Sequence, residues 1–77
     1  MKLPQVSGKE VVNVLQKQGF GIKRQKGSHL TLYKEMNGRG YYVTVPVHAN
    51  EDLLPSTFLS IIRQAGMTKE EFISLFS

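Results

Sequence analysis

The dipeptide Asn37-Gly38 lies between two stretches in which apolar and polar residues alternate, with Leu30 and Leu32 before it and Val43 and Val45 after it. Asn-Gly readily gives both central residues of a tight turn a positive φ, and such turns match the twist of paired strands. A chain with this pair at its centre is directed towards an antiparallel sheet. Arg39-Gly40 directly afterwards points to a loop slightly longer than two residues. Gly27-Ser28 marks a second tight turn upstream. The strands expected are therefore Phe20 to Lys26, His29 to Glu35 and Tyr41 to Val47, a meander with one apolar and one polar face. Pro46 limits the ladder and suits the end of an edge strand.

Helices flank the meander. Ser7 and Glu10 have capping-box spacing, and Val6 and Val11 stand where a hydrophobic staple would close. Val11, Val12, Val14 and Leu15 give an apolar stripe at helical spacing. Gly19 suits the residue after a helix, with Phe20 able to reach back to Leu15. A helix over about 8–18 follows. His48 to Leu54 reads as loop. Pro55 can open a second helix, which Phe58, Leu59, Ile61, Ile62 and Ala65 continue and Gly66 ends. Thr68 and Glu71 repeat the capping box, with Met67 and Phe72 as staple, and open a short last helix through Leu75 and Phe76. The fold class expected is α+β, in the order α-β-β-β-α with a short extra C-terminal helix. Both main helices would cover one sheet face, the arrangement of double-stranded RNA-binding domains.

At 77 residues the chain is expected to be one domain, 1–77, whose core consumes most of its apolar residues. Little remains for a deep pocket, which favours a surface site. Absence of cysteine excludes disulfides and thiolate chemistry. Two histidines and no acidic cluster of ligand spacing give no reason to expect a metal or another cofactor. No apolar run approaches the roughly 20 residues of a membrane span, and no signal peptide precedes Leu3-Pro4. A cytoplasmic protein without membrane contact is expected.

The net charge of +4 is unevenly spread. Residues 1–48 carry eight Lys and Arg against two acids, whereas 49–77 carry two against four. A concentrated positive field attracts polyanions better than a dispersed one, although small soluble proteins also carry such a surplus for solubility. Strand alternation places Lys23, Gln25, His29, Thr31, Tyr33, Tyr42 and Thr44 on the uncovered face. Lysine neutralises phosphate, aromatic rings stack on unpaired bases, and histidine moves protons near neutral pH. RNA supplies its own nucleophile in the 2′-hydroxyl. Each feature also has a plainer reading. An exposed strand histidine is ordinarily a solvated polar residue, tyrosines pair across strands to support a sheet, and the run Lys23 to Lys26 is an ordinary solvated edge. His29 stands out by following a Gly-Ser turn in the most basic stretch. His48, in a loop after Pro46, reads as structural or incidental.

Gly27-Ser28-His29 is the point at which the chain resembles the HicA family. Ser7-Gly8-Lys9-Glu10, Gln18-Gly19-Phe20, Arg24-Gln25-Lys26-Gly27-Ser28-His29, Val43-Thr44-Val45-Pro46 and Arg63-Gln64-Ala65-Gly66 agree in order and spacing along nearly the whole chain. The resemblance implies the toxin of a type II toxin–antitoxin pair, an mRNA interferase with a double-stranded RNA-binding-like fold and one catalytic histidine, which falls on His29. It also implies a HicB-type antitoxin that covers the site. Lys23, Arg24, Lys26, Ser28 and Tyr33 are the residues expected to hold RNA, with no DNA contact by this chain alone. Ser56 stands where many members have glycine, and the turn from Glu35 to Tyr42 is longer than usual. A partnership of His29 with His48 finds little support in strand parity or loop placement. Two rival readings use the same face: an RNA-binding module without catalysis, and a protein-interaction domain.

Overall fold

A computed structural model of the chain describes residues 3–48 and 51–76. Helix α1 spans Gly8–Lys17, and both arms of its capping box are closed. The Glu10 amide donates to Ser7 Oγ at 3.3 Å, and the Ser7 amide donates to Glu10 Oε1 at 3.1 Å. Val6 and Val11 are buried beneath this start. At the other end Gly19 takes φ 99°, so that the Phe20 amide reaches Leu15 O and the Gly19 amide reaches Gln16 O, each at 3.0 Å. These bonds satisfy carbonyls that a helix end would otherwise leave open.

Strands β1 (Gly21–Lys26), β2 (His29–Met36) and β3 (Arg39–Pro46) form an antiparallel sheet in the order β1-β2-β3. Asn37 and Gly38 have φ of 53° and 78°, and Met36 pairs directly with Arg39. The turn is therefore two residues, tighter than Arg39-Gly40 suggested. Those residues belong to β3, and Gly40 is small because the Tyr33 ring lies on it: a β-carbon there would sit 2.7 Å from the ring.

β3 ends at Pro46, on an edge of the sheet as expected, and a single further bond follows it. The Val47 amide donates to Ser28 O at 2.6 Å, one rung beyond the His29–Pro46 pair. Antiparallel rungs alternate between bonded and non-bonded pairs, so Pro46 occupies a non-bonded rung where its nitrogen faces away from β2. The same alternation makes Thr31–Thr44 and Tyr33–Tyr42 non-bonded pairs, whose side chains approach most closely. Thr31 and Thr44 hydroxyls are accordingly 3.4 Å apart.

Helix α2 (Pro55–Gln64) begins with proline, and α3 (Lys69–Ser74) follows. Leu15, Leu32, Val43, Val45, Phe58, Ile61 and Phe72 are fully buried between the helices and one sheet face, and Phe58 meets Phe72 edge-on at 5.4 Å. The helices pack over β3. Gln64 Oε1 also accepts from the outward-facing Thr44 amide at 2.9 Å, which covers part of that free edge. Every residue of β1, by contrast, is exposed, Ile22 included at 52%. The expected loop from His48 is tied down where Leu53 N meets Val6 O; residues 49–50 lie outside the described residues. No helix is long and apolar enough to cross a membrane among the described residues.

The start of α3 titrates. The Thr68 amide donates to Glu71 Oε1 at 2.9 Å, and this bond first, then the Thr68 hydroxyl, holds the Glu71 carboxyl below its ordinary value. A lowered folded value makes the contribution complete above the ordinary glutamate range of about 4.3 and removes it as pH falls through the folded value. Protection of the Phe72 amide, measured as exchange relative to its intrinsic rate at each pH, is expected to fall below that range, and Glu71→Gln is expected to flatten this dependence. Identical acid profiles for parent and variant would contradict the assignment.

Candidate active site on the open sheet face

The register of β1 against β2 shifts between Ile22 and Arg24. Ile22 pairs with Leu32, Arg24 with Thr31, Gln25 with Leu30 and Lys26 with His29, which leaves Lys23 as the extra residue of a β-bulge. Alternation breaks at this point. Arg24 and Lys26 share the open face with His29, while Gln25 turns to the helix side, where it lines a groove with Val12, Asn13, Leu30 and Val47. The expectation that Gln25 lies on the open face is therefore corrected. Lys23 still reaches that face, its ammonium 5.8 Å from the Tyr33 ring centre. Three cations thus gather where simple alternation allows one or two.

His29 is the first residue of β2 and is exposed. Gly27, with φ 59°, opens the tight turn before it, and the Ser28 carbonyl is held by the Val47 amide. Gln25 Nε2 adds a bond to Gly27 O at 3.3 Å. The imidazole therefore projects from a backbone pinned on both sides, with Lys26 and Pro46 as cross-strand neighbours. A shallow depression is lined by Arg24, Lys26, Gly27, Ser28, His29, Thr31 and Thr44. It sets an imidazole beside two cationic side chains and the three hydroxyls of Ser28, Thr31 and Thr44, open to a large ligand. Ser28 is half-buried.

A second depression, lined by Lys23, Arg24, Thr31 and Tyr42, shares Arg24 and Thr31 with the first. The Tyr33 and Tyr42 rings lie 4.7 Å apart at 48°. Tyr33 is half-buried against Gly40, whereas Tyr42 is 56% exposed. Strand parity places both tyrosines on this face, and Tyr33 is the one expected to contact RNA. Only packing separates the two. His48 lines a different depression, with Glu51, Asp52, Leu53 and Thr57, so the two histidines are not brought together in one site. Lys34 serves the fold: its ammonium donates to Gln18 O at the end of α1 and lies 5.8 Å from the Phe20 ring.

No curated protein sequence shows significant similarity to the chain. A family model described as the HicA toxin of bacterial toxin–antitoxin systems matches residues 8–67, a stretch that runs from the first residue of α1 past the end of α2 and includes the bulge, the Gly27-Ser28 turn and His29. The chain belongs to the HicA toxin family.

Proposed function

We propose that the chain is an endoribonuclease of the mRNA interferase type, and that His29 performs its proton transfers. The observation that carries this reading is the exposed imidazole sharing one face with Lys26 and Arg24 across the Gly27-Ser28 turn. Neutral His29 would accept the proton of a ribose 2′-hydroxyl as that oxygen attacks the adjoining phosphorus. The bond from phosphorus to the 5′-oxygen breaks, and the leaving oxygen takes a proton from the imidazolium or from water. The products are a 2′,3′-cyclic phosphate and a 5′-hydroxyl, with no metal needed in the balance. Lys26 and Arg24 neutralise the phosphate on which charge accumulates, Lys23 holds the next part of the backbone, and Ser28 offers its hydroxyl beside the turn. Tyr33 supports the ring surface that continues this track. A HicB-type antitoxin would silence the toxin by covering the same face. Acting on mRNA places the activity in the cytoplasm.

The direct test is purified protein incubated with single-stranded RNA in excess chelator. Cleavage with cyclic phosphate ends supports the enzyme; binding without cleavage would leave the passive RNA-binding module. Lys26→Ala is expected to weaken RNA binding and to lower the slope of log K against log salt by about 0.7, the share of one phosphate contact on a single strand. An unchanged slope would remove Lys26 from the interface.

A further inference from the structure

We infer that Tyr42 forms a stacking subsite for one unpaired nucleobase of single-stranded RNA, a few nucleotides from the phosphate at His29. The inference rests on the proposed nuclease reading for the position of that phosphate, and names the form of RNA the face accepts.

Four observations lead to it. The two depressions on the open face share Arg24 and Thr31, so they form one continuous track from His29 to Tyr42. His29 pairs with Pro46, and Tyr42 stands four residues earlier on the same strand, roughly 13 Å away at the usual strand rise. Lys23 and Arg24, the second added to this face by the bulge, lie between the two ends and match the charge of a ribose-phosphate backbone.

The fourth observation concerns the two rings. Tyr33 is hemmed in by the Gly40 backbone, the Tyr42 ring and the Lys23 ammonium. Tyr42 leans on Tyr33 and keeps more than half its surface free. Tyr33 is thus a positioning residue, and Tyr42 is the ring available to a base. A base within a duplex has both faces stacked and cannot use such a ring, whereas single-stranded segments splay their bases onto aromatic side chains. An exposed tyrosine beside two cations, in line with the candidate active site, therefore favours a single strand over a duplex.

The test uses His29→Ala protein, so that RNA stays whole, and a short single-stranded RNA with its annealed duplex as probes. Tyr42→Ala is expected to weaken single-strand binding about 5- to 150-fold, the range of one base–aromatic stack. Tyr42→Phe should bind within about twofold of the parent, and duplex binding should not change. Tyr42→Leu, which keeps apolar packing against Tyr33 but lacks a π-face, should bind as weakly as the alanine variant. An abasic residue moved along the strand one nucleotide at a time should cost affinity at one position in the parent and at none in Tyr42→Leu.

Equal binding of single strands by Tyr42→Leu and parent would overturn the subsite. So would equal losses on single strand and duplex, which would make Tyr42 a general support of the face. Loss of antitoxin binding alone, with RNA affinity intact, would instead make it a protein contact. A parent protein that binds RNA but never cleaves it would sink the nuclease reading and leave the stacking result to stand by itself.

Discussion

His29→Ala is expected to lower RNA cleavage by about 10²- to 10⁴-fold, the range that a positioned acid–base group contributes, and to abolish growth arrest on expression without antitoxin. Stability should change little, because an exposed side chain leaving no cavity usually matters within about 0.5 kcal/mol. The ring stands on the rung next to Pro46, outside the cluster of Leu32, Val43 and Val45 that holds the sheet to the helices. Far-ultraviolet circular dichroism and the unfolding midpoint should therefore match the parent while the RNA gel does not. His48→Ala supplies the contrast. His48 lies in a depression lined by Pro46, Glu51, Asp52 and Thr57, which includes neither Arg24 nor Lys26, and its loss should leave cleavage near the parent rate. Equal losses for the two variants would demand a two-histidine mechanism, and full activity in His29→Ala would remove the imidazole from the chemistry.

Most of the architecture was legible because its signals are local. Capping boxes at Ser7 and Thr68, glycines at 19 and 66, and Asn37-Gly38 each act within a few residues, and each formed where spacing put it. What alternation missed was the bulge. Counting forward from Ile22 puts Lys23 and Gln25 on the open face. Counting back across the two-residue turn from His29 puts Lys26 and Arg24 there. Both counts are correct at their own ends, and their disagreement is itself the signature of one inserted residue. The second count was available from sequence once Gly27-Ser28 was read as a tight turn. The difference between Tyr33 and Tyr42 was not available, since it depends on which ring settles over Gly40. Nor was the asymmetric cover of the sheet, with helices over β3 and β1 left exposed along its length.

A stability prediction of larger size concerns Gly8, a residue whose role in the Ser7-Gly8-Lys9-Glu10 run was silent in the sequence. Helix propensity alone says that Gly8→Ala should stabilise α1, by up to about 1 kcal/mol for an interior position. Contact geometry says the opposite. Gly8 is buried as the first residue of α1, and a β-carbon there would press into the Pro46 carbonyl and lie 3.2 Å from Val47 Cα. Both neighbours are backbone, and the Val47 amide is committed to Ser28 O, so neither can step aside cheaply. Overpacking of this kind costs about 1–3 kcal/mol. At about 4–8 °C per kcal/mol for a domain of this size, Gly8→Ala is expected to lower the unfolding midpoint by on the order of 10 °C. Gly21→Ala, where a β-carbon meets nothing within 4 Å, provides the control and should shift it little. Because Pro46 is the cross-strand neighbour of His29, the same variant should also reduce cleavage at temperatures where it remains folded. An unfolding midpoint equal to or above the parent's would mean that α1 can withdraw from β3 without cost, and that Gly8 does not fix the spacing on which the position of Pro46 beside His29 depends.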